Sequence, residues 1–298
     1  MTGSLADRVA GWHPPPVLST DLVSAGPVAA LSSALGYAAP AAGDGDPLPP
    51  LWHWLSFLDW PAPADLGPDG HPSGGPLLPP VPDRRRMWAG GRLTVHDPLL
   101  VGLEAQRSIA VSAVRPVTGR TGELVFVTTR AEVRQRGRLC VVDEVDVVYR
   151  SGEPATRTHA RPTREPAPPP QVPGSPIARS WRPDPVLLFR FSALTGNSHR
   201  IHYDDPYCQE VEGYPSVVVH GPLLALLMVE AVRRPADVHA DEPAVEVASV
   251  DYRLHAPVFV DEPFLVDGEV RESDAGTVDL SVRTSRHGPH ATARVRRA

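Results

Sequence analysis

The sequence predicts an α+β protein made of two similar halves, each an antiparallel sheet wrapped around one helix. Two observations support this fold class. Segments rich in β-branched residues and separated by turn residues occupy 92–150 and 244–287, which favours antiparallel meanders. An apolar strand, a His-x-Pro break and a second strand recur at 93–103 and 252–262, with an offset of 159 residues. A recurrence of this kind is typical of a duplicated unit.

Two helices are predicted from the sequence. Residues 27–37 form a short helix candidate that ends at Gly36. Residues 220–234, "HGPLLALLMVEAVRR", predict a buried helix, because apolar side chains lie on nearly every face and Pro222 lies in the first turn. The segment between linker and site, "PVLLFRFSALTG" at 185–196, is interpreted as opening with a strand.

Proline divides the chain near its middle. Residues 154–185 have no apolar periodicity, and their prolines block helices and remove ladder donors. We therefore expect an N-terminal domain over 1–150, a proline-rich linker over 151–185 and a C-terminal domain over 186–298.

A second proline-rich stretch precedes the first meander and is too long for a simple connection. It either covers one face of the first sheet or forms a wall over a substrate, and it carries four aromatic residues: Trp52, Trp54, Phe57 and Trp60. The arginine run "DRRRM" at 83–87 either attracts phosphates or is a solvated charge run.

Composition excludes several classes of function. The net charge is −6, so nucleic acid is not an expected partner. All 29 strong cations are arginine, which excludes Schiff-base lysine chemistry and a phosphate-loop lysine. Two cysteines cannot form a metal cluster or a disulfide framework. The start of the chain lacks a signal-peptide pattern and no apolar run could span a bilayer, so a cytoplasmic protein without membrane contact is expected.

The polar stretch "ALTGNSHRIHYDD" at 193–205 is the strongest candidate site. It concentrates two histidines, Asn197 and two aspartates just before the predicted buried helix. Together with "VVVHGPL" at 217–223, it resembles the MaoC-like enoyl-thioester hydratases, the hydroxyacyl-thioester dehydratase type 2 family. That family has an acidic residue, four spacers and a histidine, followed by a His-Gly pair that opens the central helix. Asn197 holds the acidic position and His202 the histidine position.

The resemblance implies a double hot dog fold and covers most of the chain. It implies that the first half is a non-catalytic hot dog domain and the second half the catalytic one. "HRIHYD" and "EGYPSVVVHGPL" resemble the mesaconyl- and itaconyl-type CoA hydratase branch. The implied substrate is an acyl-CoA thioester, or an acyl-carrier thioester, with no metal or organic cofactor. A monomer or a homodimer fits two halves that pair within one chain.

Hydration of a conjugated thioester needs a proton carrier and a donor to the thioester oxygen. His202 suits the first task because its ordinary pKa of about 6.5 lies near working pH. The Gly221 amide suits the second, because it opens a helix whose N-terminal dipole favours negative charge. Asn197 cannot act as a base near neutral pH, so it orients the water or the histidine.

The neighbouring polar residues have open roles. His199 binds a substrate carboxylate or solvates a loop. Arg200 holds a CoA phosphate or a distal carboxylate, or it forms a surface ion pair with Asp204 or Asp205. Tyr203 is a substrate-contact candidate that equally suits packing, and His220 holds the helix start or contacts the substrate.

The sequence therefore predicts a hydro-lyase acting on a short branched dicarboxylic enoyl-CoA of the mesaconyl or itaconyl kind. Two alternatives stay open. One is a 3-hydroxyacyl-thioester dehydratase of fatty acid or polyketide metabolism. The other is a non-catalytic module that binds acyl thioesters.

Overall fold

Ten antiparallel strands form one continuous sheet in the described part of the chain. The computed structural model describes residues 4–82, 84–119, 122–151, 177–234, 244–286 and 288–298. The strands are β1 Val17–Leu22, β2 Arg85–Val95, β3 Glu104–Gly119, β4 Gly122–Gln135, β5 Arg138–Arg150, β6 Ile177–Trp181, β7 Val247–Leu254, β8 Phe264–Arg271, β9 Asp274–Arg283 and β10 Ala291–Arg297. Their order across the sheet is β1-β3-β4-β5-β2-β7-β10-β9-β8-β6. The two halves therefore meet where β2 pairs with β7.

Five α-helices occur in the same ranges: α1 Leu5–Val9, α2 Ala25–Ala34, α3 Pro185–Leu194, α4 Asp205–Glu210 and α5 Gly221–Arg233. The predicted helices near 27–37 and 220–234 are confirmed as α2 and α5. Helix α5 is the centre of the second half, and all its residues from Leu223 to Arg233 are buried.

The strand predicted to open the segment 185–196 is wrong, because this segment is helix α3. Asp184 caps α3 by accepting a hydrogen bond from the Leu187 amide at 2.7 Å, and Pro185 occupies the first helical position. A short apolar run fits a strand and a buried helix equally well, and here the Asp-Pro start signal decided the outcome.

The duplication predicted from the His-x-Pro recurrence has a direct structural counterpart. The His96 amide donates to the Cys140 carbonyl at 2.8 Å, and the His255 amide donates to the His290 carbonyl at 2.9 Å. Both histidines thus end a strand in the same way. Helices α2 and α3 likewise follow β1 and β6 in corresponding places. The halves differ in the segment before β2 and β7: the second half has the long helix α5 between α3 and β7, whereas the described residues between α2 and β2 have the 3-10 turns Trp52–Leu55 and Pro63–Asp65.

The proline-rich linker predicted over 151–185 is shorter than expected at its C-terminal end. Strand β6, Ile177–Trp181, lies inside the predicted linker and pairs with β8 at the edge of the sheet. Edge strands tolerate nearby proline better than central ones. Residues 152–176 lie outside the described residues.

A buried polar cluster joins the first half to helix α5. Glu230 is 2 % exposed and accepts hydrogen bonds from the Trp52 indole at 3.1 Å and from Arg233 at 2.7 Å. The Tyr37 hydroxyl also donates to Glu230. Because Tyr37 and Trp52 come from the first half, these bonds hold the two halves in register around the helix that carries the site.

Candidate active site

His202 is the best placed base of the described residues. It ends the 3-10 turn Arg200–His202 and is 7 % exposed. Its Nδ1 lies 2.8 Å from the Val218 carbonyl oxygen, which can only accept a hydrogen bond. Nδ1 therefore carries the proton, and Nε2 keeps the lone pair that a base needs. The Val218 amide donates to the Ile201 carbonyl at 2.8 Å, so the two segments are tied together twice.

His220, which precedes the helix start at Gly221, lies directly beside His202. The His220 ring stacks on the His202 ring, with centroids 3.7 Å apart and planes 19° apart. His220 Nε2 is 2.8 Å from Ser192 Oγ, whereas its buried Nδ1 has no hydrogen-bond partner among the described residues. Gly221 is the first residue of α5, and the first amides of a helix have no partner within the helix. The arrangement combines a free base nitrogen with a free amide donor.

Gly221 is required by close packing at the helix start. A Cβ at this position would overlap with Leu254 Cδ1 and would lie 3.8 Å from Trp88 Cβ. Both neighbours belong to the central strands β7 and β2. Any larger residue must therefore displace the first turn of α5 or the strand side chains beneath it.

Asn197 shapes the loop that precedes the base. Its side-chain oxygen accepts a hydrogen bond from the His199 backbone amide at 3.0 Å. The Asn197 backbone amide donates to the Ser192 backbone carbonyl at 2.9 Å. These bonds fold residues 197–199 into a turn against the end of α3. The geometry gives Asn197 a positioning task, through His199, next to the base.

A loop from the first half completes the site, and sequence reasoning missed it. The His199 ring lies 4.0 Å from the His71 ring, whose Nδ1 is 3.0 Å from Asp69 Oδ2. The Arg200 amide donates to the Asp69 carbonyl at 2.9 Å, which joins this loop to the motif loop. Gly70 allows the approach, since a Cβ there would overlap with the Ser198 carbonyl. The proline-rich stretch thus contributes to the site.

The only sequence signal for this contribution is the Asp-x-His pair in "GPDGHP", within a stretch too long for a plain connection. Ligand atoms of Asp69, His71 and His199 lie within 4.8 Å of one another, so the three could hold a metal ion. In the structure the Asp69 carboxylate instead accepts hydrogen bonds from both His71 Nδ1 and the His71 amide, at 3.0 Å each. This is the geometry of an aspartate that orients a histidine.

Two of the predicted site residues face away from the base. Arg200 Nε and one terminal nitrogen lie 2.9 and 2.7 Å from Asp204 Oδ2, and the guanidinium covers the Tyr207 ring. This is the ion pair with an aspartate that the sequence analysis gave as one alternative for Arg200. Tyr203 is 55 % exposed, and its hydroxyl donates to the Ser198 carbonyl at 3.1 Å.

The arginine run at 84–86 separates into three environments. Arg84 donates to backbone carbonyls of its own loop, Ser73 and Pro79. Arg85 pairs with Glu212 at 3.2 Å. One terminal nitrogen of Arg86 is buried, so neither a phosphate patch nor a solvated run describes all three.

Burial keeps the site histidines neutral. Burial lowers the pKa of His202 to about 4, although its bond to Val218 opposes the shift. Burial also holds the pKa of His220 and of His199 well below the ordinary value, and charge on neighbouring histidines would lower it further. A neutral His202 is the form that accepts a proton.

Acid should destabilise the protein through His202. In the unfolded chain this histidine has a pKa of about 6.5, and in the folded state about 4. Between these values the unfolded state binds a proton that the folded state does not, so stability falls as the pH falls. By linkage, His202 alone lowers the free energy of unfolding by about 2 kcal/mol between pH 7 and pH 5.

Urea titrations at pH 7 and pH 5 measure this difference. The loss should be smaller in His202→Gln, whose side chain does not titrate. An equal loss in both proteins would assign the acid sensitivity to other groups.

Comparison with known proteins identifies the family. The family model described as hydroxyacyl-thioester dehydratase type 2 matches residues 51–260. The chain belongs to the hydroxyacyl-thioester dehydratase type 2 family. It is therefore a hydro-lyase, an enzyme that adds water to an acyl thioester or removes it. This excludes the non-catalytic alternative and confirms the resemblance predicted from the motif.

Two curated relatives of this dehydratase family indicate the range of its members. The mesaconyl-C(4)-CoA hydratase of Chloroflexus aurantiacus is 46 % identical over 218 residues, which is 73 % of each chain. The mitochondrial hydroxyacyl-thioester dehydratase type 2 of Schizosaccharomyces pombe is 26 % identical over 74 % of this chain and 77 % of its own.

Solved structures agree on the fold. HtdX of Mycobacterium tuberculosis has a TM-score of 0.60 at 19 % identity, covering 95 % of this chain and all of its own. A MaoC-like dehydratase from Phytophthora capsici has a TM-score of 0.64 at 14 % identity, covering 98 % and 97 %. The α+β double hot dog expected from the sequence is thus confirmed for this family member. None of the helices in the described ranges is long and apolar enough to cross a bilayer.

Proposed function

We propose that this enzyme reversibly hydrates a short branched dicarboxylic enoyl-CoA of the mesaconyl-C4 (3-methylfumaryl) kind. The observation that carries the proposal is the His202 ring, whose Nδ1 is bound to Val218 and which stacks on His220, the residue that precedes the first amide of α5. The 46 % identity to a mesaconyl-C(4)-CoA hydratase supports the choice of acyl group.

The proposed reaction uses one imidazole twice. Nε2 of His202 takes a proton from water while the water oxygen bonds to the β-carbon of the substrate. Negative charge then moves to the thioester oxygen, where the Gly221 amide donates a hydrogen bond. The imidazolium returns its proton to the α-carbon, so one water is added and the base is regenerated. A pKa of about 4 makes the imidazolium a strong acid for this last step.

We assign positioning roles to the residues around this centre. Asn197 holds the turn that presents His199, and the Asp69–His71 pair packs against the same ring. Loss of such support typically slows an enzyme without removing its base. The proposal requires no metal or organic cofactor, because His202 supplies the proton transfer.

A dehydratase of 3-hydroxyacyl thioesters is the second candidate. The name of the fission yeast relative favours it, and the same two groups would run the reaction in reverse. The candidates differ in the distal end of the acyl group, which is a carboxylate in one case and a hydrocarbon chain in the other.

A substrate panel tests the proposal. Purified protein should hydrate mesaconyl-C4-CoA faster than itaconyl-CoA, crotonyl-CoA or a long-chain 2-enoyl-CoA. The rate is measured as the loss of the enoyl-thioester absorbance. Dialysis against a chelator should leave the rate unchanged. A preference for the long-chain substrate would favour the dehydratase candidate, and a rate lost on chelation and restored by metal would contradict the metal-free mechanism.

A further inference from the structure

Arg86 carries an unused hydrogen-bond donor inside the protein. It lies on β2 directly opposite Tyr149 of β5, and its charge opposes the effect of burial, which raises the pKa of the Tyr149 hydroxyl. One of its terminal nitrogens is buried without a hydrogen-bond partner among the described residues. A buried guanidinium with a free donor costs stability, so such a group needs a compensating role.

The surroundings of Arg86 are those of the active site. The Arg86 charge acts on both His71 and His199, where it adds to the effect of burial in lowering their pKa values. The His199 ring is 5.6 Å from the ring of the base His202. Trp88, two residues further along the same strand and hence on the same face, lies against Gly221.

The other candidate cations near the site are already paired. Arg200 forms an ion pair with Asp204, and Arg85 forms one with Glu212. The Asp69 carboxylate is bound to His71, and it acts on Arg86 only through its charge at longer range. Arg86 therefore combines three properties: a place on the strand face that meets Gly221, a buried terminal nitrogen, and no hydrogen-bond partner for that nitrogen among the described residues.

We propose that Arg86 binds the distal carboxylate of the acyl group and so selects dicarboxylic substrates. The inference rests on the proposed hydration of an enoyl thioester and deepens it. In a 3-methylfumaryl thioester the carboxylate is bonded to the same carbon that takes up water. A carboxylate receptor for this substrate must therefore lie near the attacked carbon, and Arg86 lies on the strand face from which Trp88 meets Gly221. A planar guanidinium matches a carboxylate with two parallel hydrogen bonds.

Binding of the carboxylate also assists the reaction. A carboxylate on the attacked carbon repels the negative charge that develops on addition. Pairing with Arg86 offsets this charge in a site with little water, where electrostatic effects are large. The receptor thus raises reactivity toward the dicarboxylic substrate. When an acyl group without a distal carboxylate is bound, the Arg86 cation has no partner in the pocket.

Kinetics on two substrates test Arg86. We expect Arg86→Met to lower the ratio of kcat/KM for mesaconyl-C4-CoA to that for crotonyl-CoA by on the order of 10²-fold, because a buried charge pair is lost. Arg86→Lys should restore part of the ratio. The matched control is Arg85→Met, which removes the neighbouring arginine and its ion pair with Glu212. In this variant the ratio of the two kcat/KM values should stay at the wild-type value. An equal loss on both substrates in Arg86→Met would overturn the assignment.

A binding measurement separates this inference from the proposed function. Succinyl-CoA is saturated and cannot be hydrated, but it has the distal carboxylate that butyryl-CoA lacks. Succinyl-CoA should raise the melting temperature of the wild type more than butyryl-CoA does, and this difference should vanish in Arg86→Met and persist in Arg85→Met. If the wild type hydrates no enoyl-CoA, the proposed function fails while this arm still tests Arg86. A persistent preference for succinyl-CoA in Arg86→Met would overturn the receptor.

Discussion

His202→Ala is expected to lower kcat/KM for hydration by roughly 10²- to 10⁴-fold, the usual range for loss of a general acid–base group. Nδ1 of this side chain is bound to the Val218 carbonyl, so Nε2 carries the lone pair that can accept a proton. The fold should persist, because the substitution removes a buried polar ring rather than a large apolar group.

The measurement is the initial rate on the best substrate of the panel, with circular dichroism as the test of folding. His255→Ala serves as the control, since this exposed histidine binds Thr292 at 2.9 Å outside the site. A folded His202→Ala protein that kept more than about a tenth of the wild-type rate would remove His202 as the base.

Gly221→Ala is expected to lower kcat by roughly 10²- to 10³-fold, comparable with the loss of one donor to a developing oxyanion. The added methyl group would overlap with Leu254 Cδ1, so the Leu254 side chain or the first turn of α5 must shift. A shift of the turn moves the amide that we propose as the donor to the thioester oxygen. The effect should therefore appear in kcat more than in KM.

A second substitution separates a steric effect from a loss of helix stability. In Gly221→Ala/Leu254→Ala the space for the methyl group is restored, and part of the rate should return. Gly26→Ala is the matched control, because a Cβ at Gly26 in helix α2 meets nothing within 4 Å. If the single Gly221→Ala variant kept the wild-type kcat, the amide would not be a tightly placed donor.

The predictable part of this site is the part that is local in sequence. His202, His220 and Gly221 lie within a 20-residue stretch, and the motif spacing together with the apolar helix singled out these three, of which His202 and His220 stack on each other in the structure. The segment before them was misread as a strand because "PVLLF" has no clear period, although Asp184 and Pro185 are a helix-start signal.

The contribution of the first half could not be predicted in the same way. Asp69, His71 and Arg86 precede the motif by more than a hundred residues, and long-range contacts such as the pairing of β2 with β7 bring their half of the chain to it. Within "DRRRM", one side chain turns inward because neighbouring residues of a strand point to opposite faces. A run of like charges conceals that difference, so the inward arginine became apparent only from its buried nitrogen.

The described residues between α2 and β2 contain no counterpart of helix α5, and this difference between the halves has an evolutionary consequence. In an isologous dimer of identical subunits every substitution appears twice, so a change that helps one copy of the site is imposed on the other. Fusion of both copies into one polypeptide releases this constraint. One copy is then free to give up its own chemistry and to specialise as a scaffold that tunes the selectivity of its sister.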